Sequence, residues 1–267
     1  MAGNTKALRV RIKSVTSTLQ LTKAMGLVAS SKIRKANDAM LKSREYAKAL
    51  DGAINTLLLD RECKKSPYTA KRDTGRHKII VIAGDRGLAG GYNANVFRLC
   101  KEYGSAEFIP IGKRATEKFA SDTNSSETYS FDEAYALADK LCKEFEQGEF
   151  DSLSVIYTKY ISVMSQEASI KKLLPLEAKD NVGSAGMIFE PDPLTVLNTC
   201  VKEYVAGMLT VAVRESFACE VAARRMAMDS AGKNAKEMID KLGLEYNRAR
   251  QGAITQEITE IVAGSGN

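Results

Sequence analysis

From Val205 the small and apolar side chains step by four and three through Leu209, Ala212, Ser216, Cys219, Ala223, Met226 and Ser230, and the stepping resumes at Ile239, Leu242, Tyr246, Ala249 and Ala253. This is a heptad seam, the pattern of one helix laid against another. A polar interval, Gly232–Glu237, separates the two runs, and the nine-residue jump from Ser230 to Ile239 predicts a slip of phase there. Thr195–Val262 holds no proline over 68 residues, so one unbroken helix of roughly 100 Å is expected. A helix that long needs a partner to be stable in water.

The partner lies at the other end of the chain. Stepping 4-3 from Leu8 visits Ile12, Val15, Leu19, Thr22, Gly26, Ala29, Ile33, Ala36, Met40, Ser43, Ala47, Leu50, Ile54 and Leu57. Of these 15 positions 12 are apolar, and the other three (Thr22, Gly26, Ser43) are small. The low bulk of Thr22, Gly26 and Ala29 lets two backbones approach closely there.

Between the two helices the pattern changes. Residues 60–76 carry Pro67 and Gly75 among charges and read as a linker. Lys78–Gly84 is a β-branched run of the buried-strand kind, followed by a glycine-rich turn, Asp85–Asn93, and a helix at Ala94–Tyr103. Glu107–Gly112 reads as a strand, Lys113–Ala120 as a helix, 121–130 as a polar loop and Phe131–Gly148 as an amphipathic helix. Leu153–Tyr160 and Ser165–Pro175 read as two further strands, and Asn181–Pro193 as a loop. Strand–helix alternation predicts a small, mainly parallel α/β sheet. The organisation expected is α/β plus coiled coil: residues 1–60 and 194–267 form the two helices, and residues 61–193 the α/β domain inserted between them.

Charge sharpens this picture. Residues 1–50 hold 11 Lys/Arg against two acids, a net +9, whereas residues 195–267 carry nine of each sign. A basic helix points to nucleic acid, a membrane surface or an acidic protein partner. Tyr46 is the one aromatic in those first 50 residues, which leaves no run of stacking platforms for an RNA-binding arm. A plain coiled-coil scaffold is equally compatible with the seams. The five cysteines are dispersed without a CxxC, as in a reduced, intracellular protein. The single histidine, His77, makes neither a metal cluster nor a catalytic relay. No signal peptide is evident, and the uninterrupted apolar stretches are strand-sized, short of the roughly 20 residues of a membrane span.

The glycine-rich turn after a strand invites a phosphate-binding reading, but Gly84–Gly91 has neither the GK[ST] ending of a P-loop nor the GxGxxG spacing, and Asp85 adds a negative charge. A structural tight turn is the better reading. Asp132/Glu133 and Glu144/Glu146 read as helix-surface acids rather than paired catalytic groups.

Several segments carry a resemblance. They are Thr22–Lys35 (TKAMGLVASSKIRK), Asp85–Asn93 (DRGLAGGYN), Glu220–Arg224, Lys233-Asn-Ala235 and, the most specific, Tyr246–Ile261 (YNRARQGAITQEITEI). Together they resemble the gamma subunit family of F-type ATP synthases over essentially the whole length. Departures are Ala89 where the turn commonly has cysteine, Arg225 before Met226, and Ser230 and Gly232 before Lys233. The regulatory cysteine pair of the chloroplast form is absent, which implies a bacterial type.

The resemblance implies an antiparallel coiled coil with a small α/β domain at its base. It implies a rotor shaft that stands in a ring of alpha and beta subunits and sits with an epsilon subunit on the membrane c-ring. Ion flow turns the shaft, and its asymmetric surface drives each beta subunit through open and closed states. In this reading the chain has no catalytic, cofactor-binding or metal-binding residue, binds no nucleic acid, does not enter the membrane and works at the cytoplasmic face of the bacterial plasma membrane. Rotor–stator contacts carry over to Lys23, Met25, Lys32, Arg224, Arg250, Gln251 and Thr255, and a tip bearing to Ile254, Ile258, Ile261 and Val262. In an antiparallel pair the facing residue numbers keep a constant sum, here about 254 with Leu57 opposite Leu197, so residues beyond 247 are expected to project alone.

Overall fold

The computed structural model describes residues 2–122, 124–178 and 189–264; the expected loop Asn181–Pro193 lies outside these up to residue 188. Helix α1 spans Ala2–Leu58 and the last helix, α5, spans Pro193–Gly264. Every heptad position of α1 from Leu8 to Leu57 is buried or half-buried. α5 starts on Asp192, whose carboxylate accepts from Thr195 N at 2.9 Å and Thr195 Oγ1 at 2.8 Å. Pro193 follows at the first helical position, where no N–H is needed. The chain forms two compact units, Met1–Ser30 with Arg224–Asn267, and Ser31–Ala223.

In the first unit the two helices run antiparallel. A Cβ placed on Gly26 would lie 3.7 Å from both Met228 and Asp229, and one on Gly232 would lie 3.6 Å from Thr22 Oγ1. Arg225 Nη1 donates to Ser30 Oγ. These pair numbers add to 254 or 255, as the constant-sum expectation requires. The seam of α5 differs from the expected one. Met226 and Ser230 are exposed, while Met228, Gly232, Ala235, Ile239, Leu242, Tyr246, Ala249 and Ala253 are buried or half-buried in unbroken 4-3 steps. The slip therefore precedes Met228, and the supposed polar interval belongs to the seam. Gly232 and Ala235 carry too little apolar bulk to stand out in a hydrophobicity pattern, yet small residues are what close backbone approach demands. The seam also continues to Ala253, beyond the expected limit of 247, and uniform exposure starts at Ile254.

In the second unit the pairing is again antiparallel: Arg214 Nη1 donates to Ser43 Oγ at 2.7 Å, and Tyr204 Oη to Asp51 Oδ1 at 3.2 Å. A Cβ on Gly207 would lie 2.4 Å from Leu50 Cδ1. A larger residue there would require the Leu50 side chain to move.

The α/β layer comprises β1 (His77–Ile82), α2 (Tyr92–Lys101), β2 (Glu107–Ile111), α3 (Lys113–Phe119), α4 (Phe131–Glu146), β3 (Ser152–Tyr160) and β4 (Gln166–Leu174). The sheet order is β2-β1-β3-β4, with β1 parallel to both neighbours and β4 antiparallel to β3. Alternation along β1 sorts its side chains between two cores. Ile80 and Ile82 pack with Ala138, Leu141 and Phe145 of α4, Leu57 of α1 and Leu197 to Val213 of α5. Ile79 and Val81 pack with Val96 and Cys100 of α2. Burial on both faces is why the strand reads as a continuous apolar run. α4 starts with a capping box between Ser130 and Glu133. Gly112, at φ 95°, links β2 to α3 where a Cβ would fall 2.0 Å from Ala83 O.

Two sequence expectations fail here. The segment read as a linker holds two 3₁₀ turns, Glu62–Lys65 and Pro67–Thr69, and buries Cys63 and Tyr68 in the main core. Two apolar residues among charges make no period, so the pattern could not reveal them. In addition, α5 contains an 18-residue window of mean hydropathy 1.3, long and apolar enough by composition to cross a membrane. That window is 67% buried within the protein, because α5 packs against both α1 and the sheet layer.

Candidate functional site

The glycine-rich turn is closed by its own side chains. Asn93 Oδ1 accepts from Gly84 N at 2.9 Å, Tyr92 N donates to Ala89 O at 3.2 Å, and Tyr92 Oη donates to Ser216 O of α5 at 3.0 Å. Asp85 accepts from Lys113 N (3.1 Å), Ser125 Oγ (2.6 Å), Ser126 N (2.9 Å) and Glu127 N (3.0 Å). Burial pushes its carboxyl upward, but these donors outweigh burial and hold it below the usual carboxylate range. Thus the Gly84 N–H, which a phosphate cradle would present outward, already has an acceptor. Asp85 is an anchor for the 124–127 loop, as the structural-turn reading expects.

The other candidate groups have structural partners too. Glu144 takes an ion pair from Lys78 at 2.9 Å, and Glu133 belongs to the cap of α4. His77 Nδ1 lies 2.8 Å from Ser152 Oγ. Among the described residues no cluster of three His, Cys, Asp or Glu could hold a metal ion. Cys63, Cys100, Cys142 and Cys219 are buried, and burial raises each thiol pKa, to about 11 for Cys63 and Cys100 and about 12 for Cys142.

The residues carried over from the family resemblance lie along the two long helices. In the first unit Lys23 is exposed, Met25 half-buried beside Gly26, and Arg224 half-buried. Arg250, Gln251 and Thr255 are exposed on the last turns of α5, with Thr255 Oγ1 donating to Gln251 O at 2.9 Å. On the same helix end Ile254 is 47% exposed, Ile258 56%, and Ile261 and Val262 64% each. Lys32 belongs to the second unit, and it is ion-paired with Glu127, which Arg86 also approaches at 3.8 Å. Sequence reasoning missed that pairing, because the two residues lie 95 positions apart in a polar loop and a basic helix face. It also missed the exposed apolar side chains Leu21 (58% exposed), Leu27 (73%) and Val28 (56%) of α1. The heptad count assigns no role to positions off the seam.

A family model described as ATP synthase matches residues 4–266. The chain is 42% identical to the ATP synthase gamma chain of Ruminococcus albus, over 99% of both chains. It is 36% identical to the sodium ion specific ATP synthase gamma chain of Acetobacterium woodii, again over 99% of both. The fold is similar to a chain of the Euglena gracilis mitochondrial ATP synthase OSCP/F1/c-ring structure, with a TM-score of 0.67 and 18% identity over 99% of this chain and 94% of that one. A chain of the Tetrahymena thermophila mitochondrial central stalk/c-ring structure gives a TM-score of 0.63 at 21% identity, covering 79% of this chain and 99% of that one.

Proposed function

The chain belongs to the ATP synthase gamma chain family, and on that premise we propose that it is the central rotor shaft of the complex, coupling ion flow through a membrane c-ring to ATP synthesis, and to hydrolysis in reverse. It is a subunit of an enzyme complex and does no chemistry itself. The three segments 1–60, 61–193 and 194–267 serve as first shaft helix, base and second shaft helix. The alpha and beta subunits surround the helices, the base meets the epsilon subunit and the c-ring, and the assembly sits at the cytoplasmic face of the bacterial plasma membrane without inserting this chain.

The observation that carries this reading is the end of α5. Helix Ile254–Gly264 is exposed all round and presents Ile254, Ile258, Ile261 and Val262 to solvent. Burying such side chains is worth about 1 kcal/mol or more each, and an unaccompanied helix end is marginal in water. An apolar sleeve around the tip answers both. Below it, Arg250, Gln251 and Thr255 meet beta-subunit loops. Lys23, Met25 and Arg224 face the acidic loops of beta subunits, where attraction between exposed charges is soft and salt-screened. Lys32 serves there by exchanging its internal partner Glu127 for a beta carboxylate.

Reconstitution with the alpha and beta subunits of the same organism tests the proposal. The chain should co-purify in a stoichiometric complex and turn, as seen by a probe attached to its base, when ATP is added. Failure to assemble, or ATP hydrolysis with no rotation, would overturn it.

A further inference from the structure

Strand β3 is longer than its parallel neighbour β1. The β1–β3 ladder ends at Val81↔Ile156, but β3 continues to Tyr160. Beyond that point the edge of β3 that faced β1 is completed by side chains of the two long helices. Thr158 N donates to Ser216 Oγ at 3.1 Å, and Cys219 Sγ donates to Thr158 O at 3.4 Å. Tyr160 N donates to Glu215 Oε1 at 2.8 Å, while Arg44 Nη2 donates to Tyr160 O at 2.6 Å and to the same Glu215 Oε1 at 2.7 Å. The Arg44 guanidinium also lies 5.8 Å from the centroid of the Tyr160 ring. Glu215, Ser216 and Cys219 belong to α5 and Arg44 to α1, so both helices grip the backbone of one strand end.

We propose that this grip is the joint that passes rotation from the α/β domain to the helix pair, with Glu215 and Arg44 as its positioning residues. The inference rests on the rotor reading above. The apolar core shared by sheet and helices holds them together, but hydrophobic contact is itself non-directional. Charge-assisted hydrogen bonds to both the N–H and the C=O of a single residue fix direction and register. The Glu215 side chain is 7% exposed and that of Arg44 34%, so the carboxylate end of the grip is shielded from water while the guanidinium reaches the surface. A load applied at the base is therefore resisted at Tyr160 before it can shear the core.

The assembled enzyme in inverted membrane vesicles gives the test, with ATP hydrolysis and ATP-driven ion entry (proton or sodium) measured on the same sample. Glu215→Ala and Arg44→Ala should each lower ions moved per ATP by about fivefold, the factor one directional polar contact is worth, with hydrolysis within about twofold of wild type. Glu215→Gln keeps the acceptor for Tyr160 N–H and should retain most of the coupling. Ser216→Ala, which removes only the oxygen that accepts from Thr158 N, should lower the ratio about twofold. The exchange Arg44→Glu with Glu215→Arg restores an ion pair but sets donor against the Tyr160 N–H and acceptor against its C=O, so coupling should stay low. Wild-type ratios in Glu215→Ala and Ser216→Ala, or full recovery in the exchanged pair, would overturn the joint. A wild-type chain that supports no pumping at all would instead strike the rotor reading.

Discussion

Gly84 lies against the carboxylate of Glu220 so closely that a Cβ on Gly84 would fall 2.7 Å from Glu220 Cδ and 2.9 Å from its Oε2. Glu220 is 2% exposed and has no solvent into which to swing. Gly84→Ala should therefore destabilise the protein by about 1–3 kcal/mol through overpacking. Urea unfolding measures this, and in a double-mutant cycle Glu220→Ala should recover part of the loss. Additive effects would show that the two residues do not press on each other.

The Asp85 anchor predicts a pH dependence. Its pKa is held below the unfolded value, so its contribution is complete above the ordinary aspartate range and is lost as pH falls through the folded value. Asp85→Asn should flatten the acid limb of the stability curve. It should also cost about 1–3 kcal/mol at neutral pH, because its amide nitrogen cannot accept from the loop's N–H groups. Amide exchange at Ser126 and Glu127 should quicken first. Unchanged protection there would mean that the loop is held by something else.

Thiol chemistry should separate the cysteines. Cys200 is half-buried and the other four are buried. With an aromatic disulfide reagent at pH 8, Cys200 should react first. Cys63, Cys100, Cys142 and Cys219 should lag by orders of magnitude until denaturant is added, since only the thiolate attacks and burial suppresses it. Fast modification of a second cysteine in the folded chain would contradict the packing described.

Removal of residues 254–267 should leave the helix pair folded, because the seam ends at Ala253. In the assembled complex the truncation should lower thermal stability and torque without abolishing rotation, whereas single Ala substitutions at Ile254 or Ile258 should be tolerated, each removing about 1 kcal/mol. Undiminished torque and stability after truncation would show the tip to be dispensable.

The sequence by itself determined the two long helices, their dependence on each other and the α/β character of the insert. Those features rest on periodicity, a local property repeated over many residues. All fifteen α1 seam positions from Leu8 to Leu57 were legible this way, as was the strand at Ile79–Ile82. Tertiary structure alone decided that Gly232 and Ala235 belong to the α5 seam. They sit among Lys233, Asn234, Lys236 and Glu237, so the stretch reads as polar until α1 is seen packed against it. It alone decided the burial of Cys63 and Tyr68, the pairing of Lys32 with Glu127 and the grip of Arg44 and Glu215 on Tyr160. The partners in that grip are separated by 116 and 55 positions. No local pattern links such residues; only the path of the folded chain brings them within hydrogen-bonding distance.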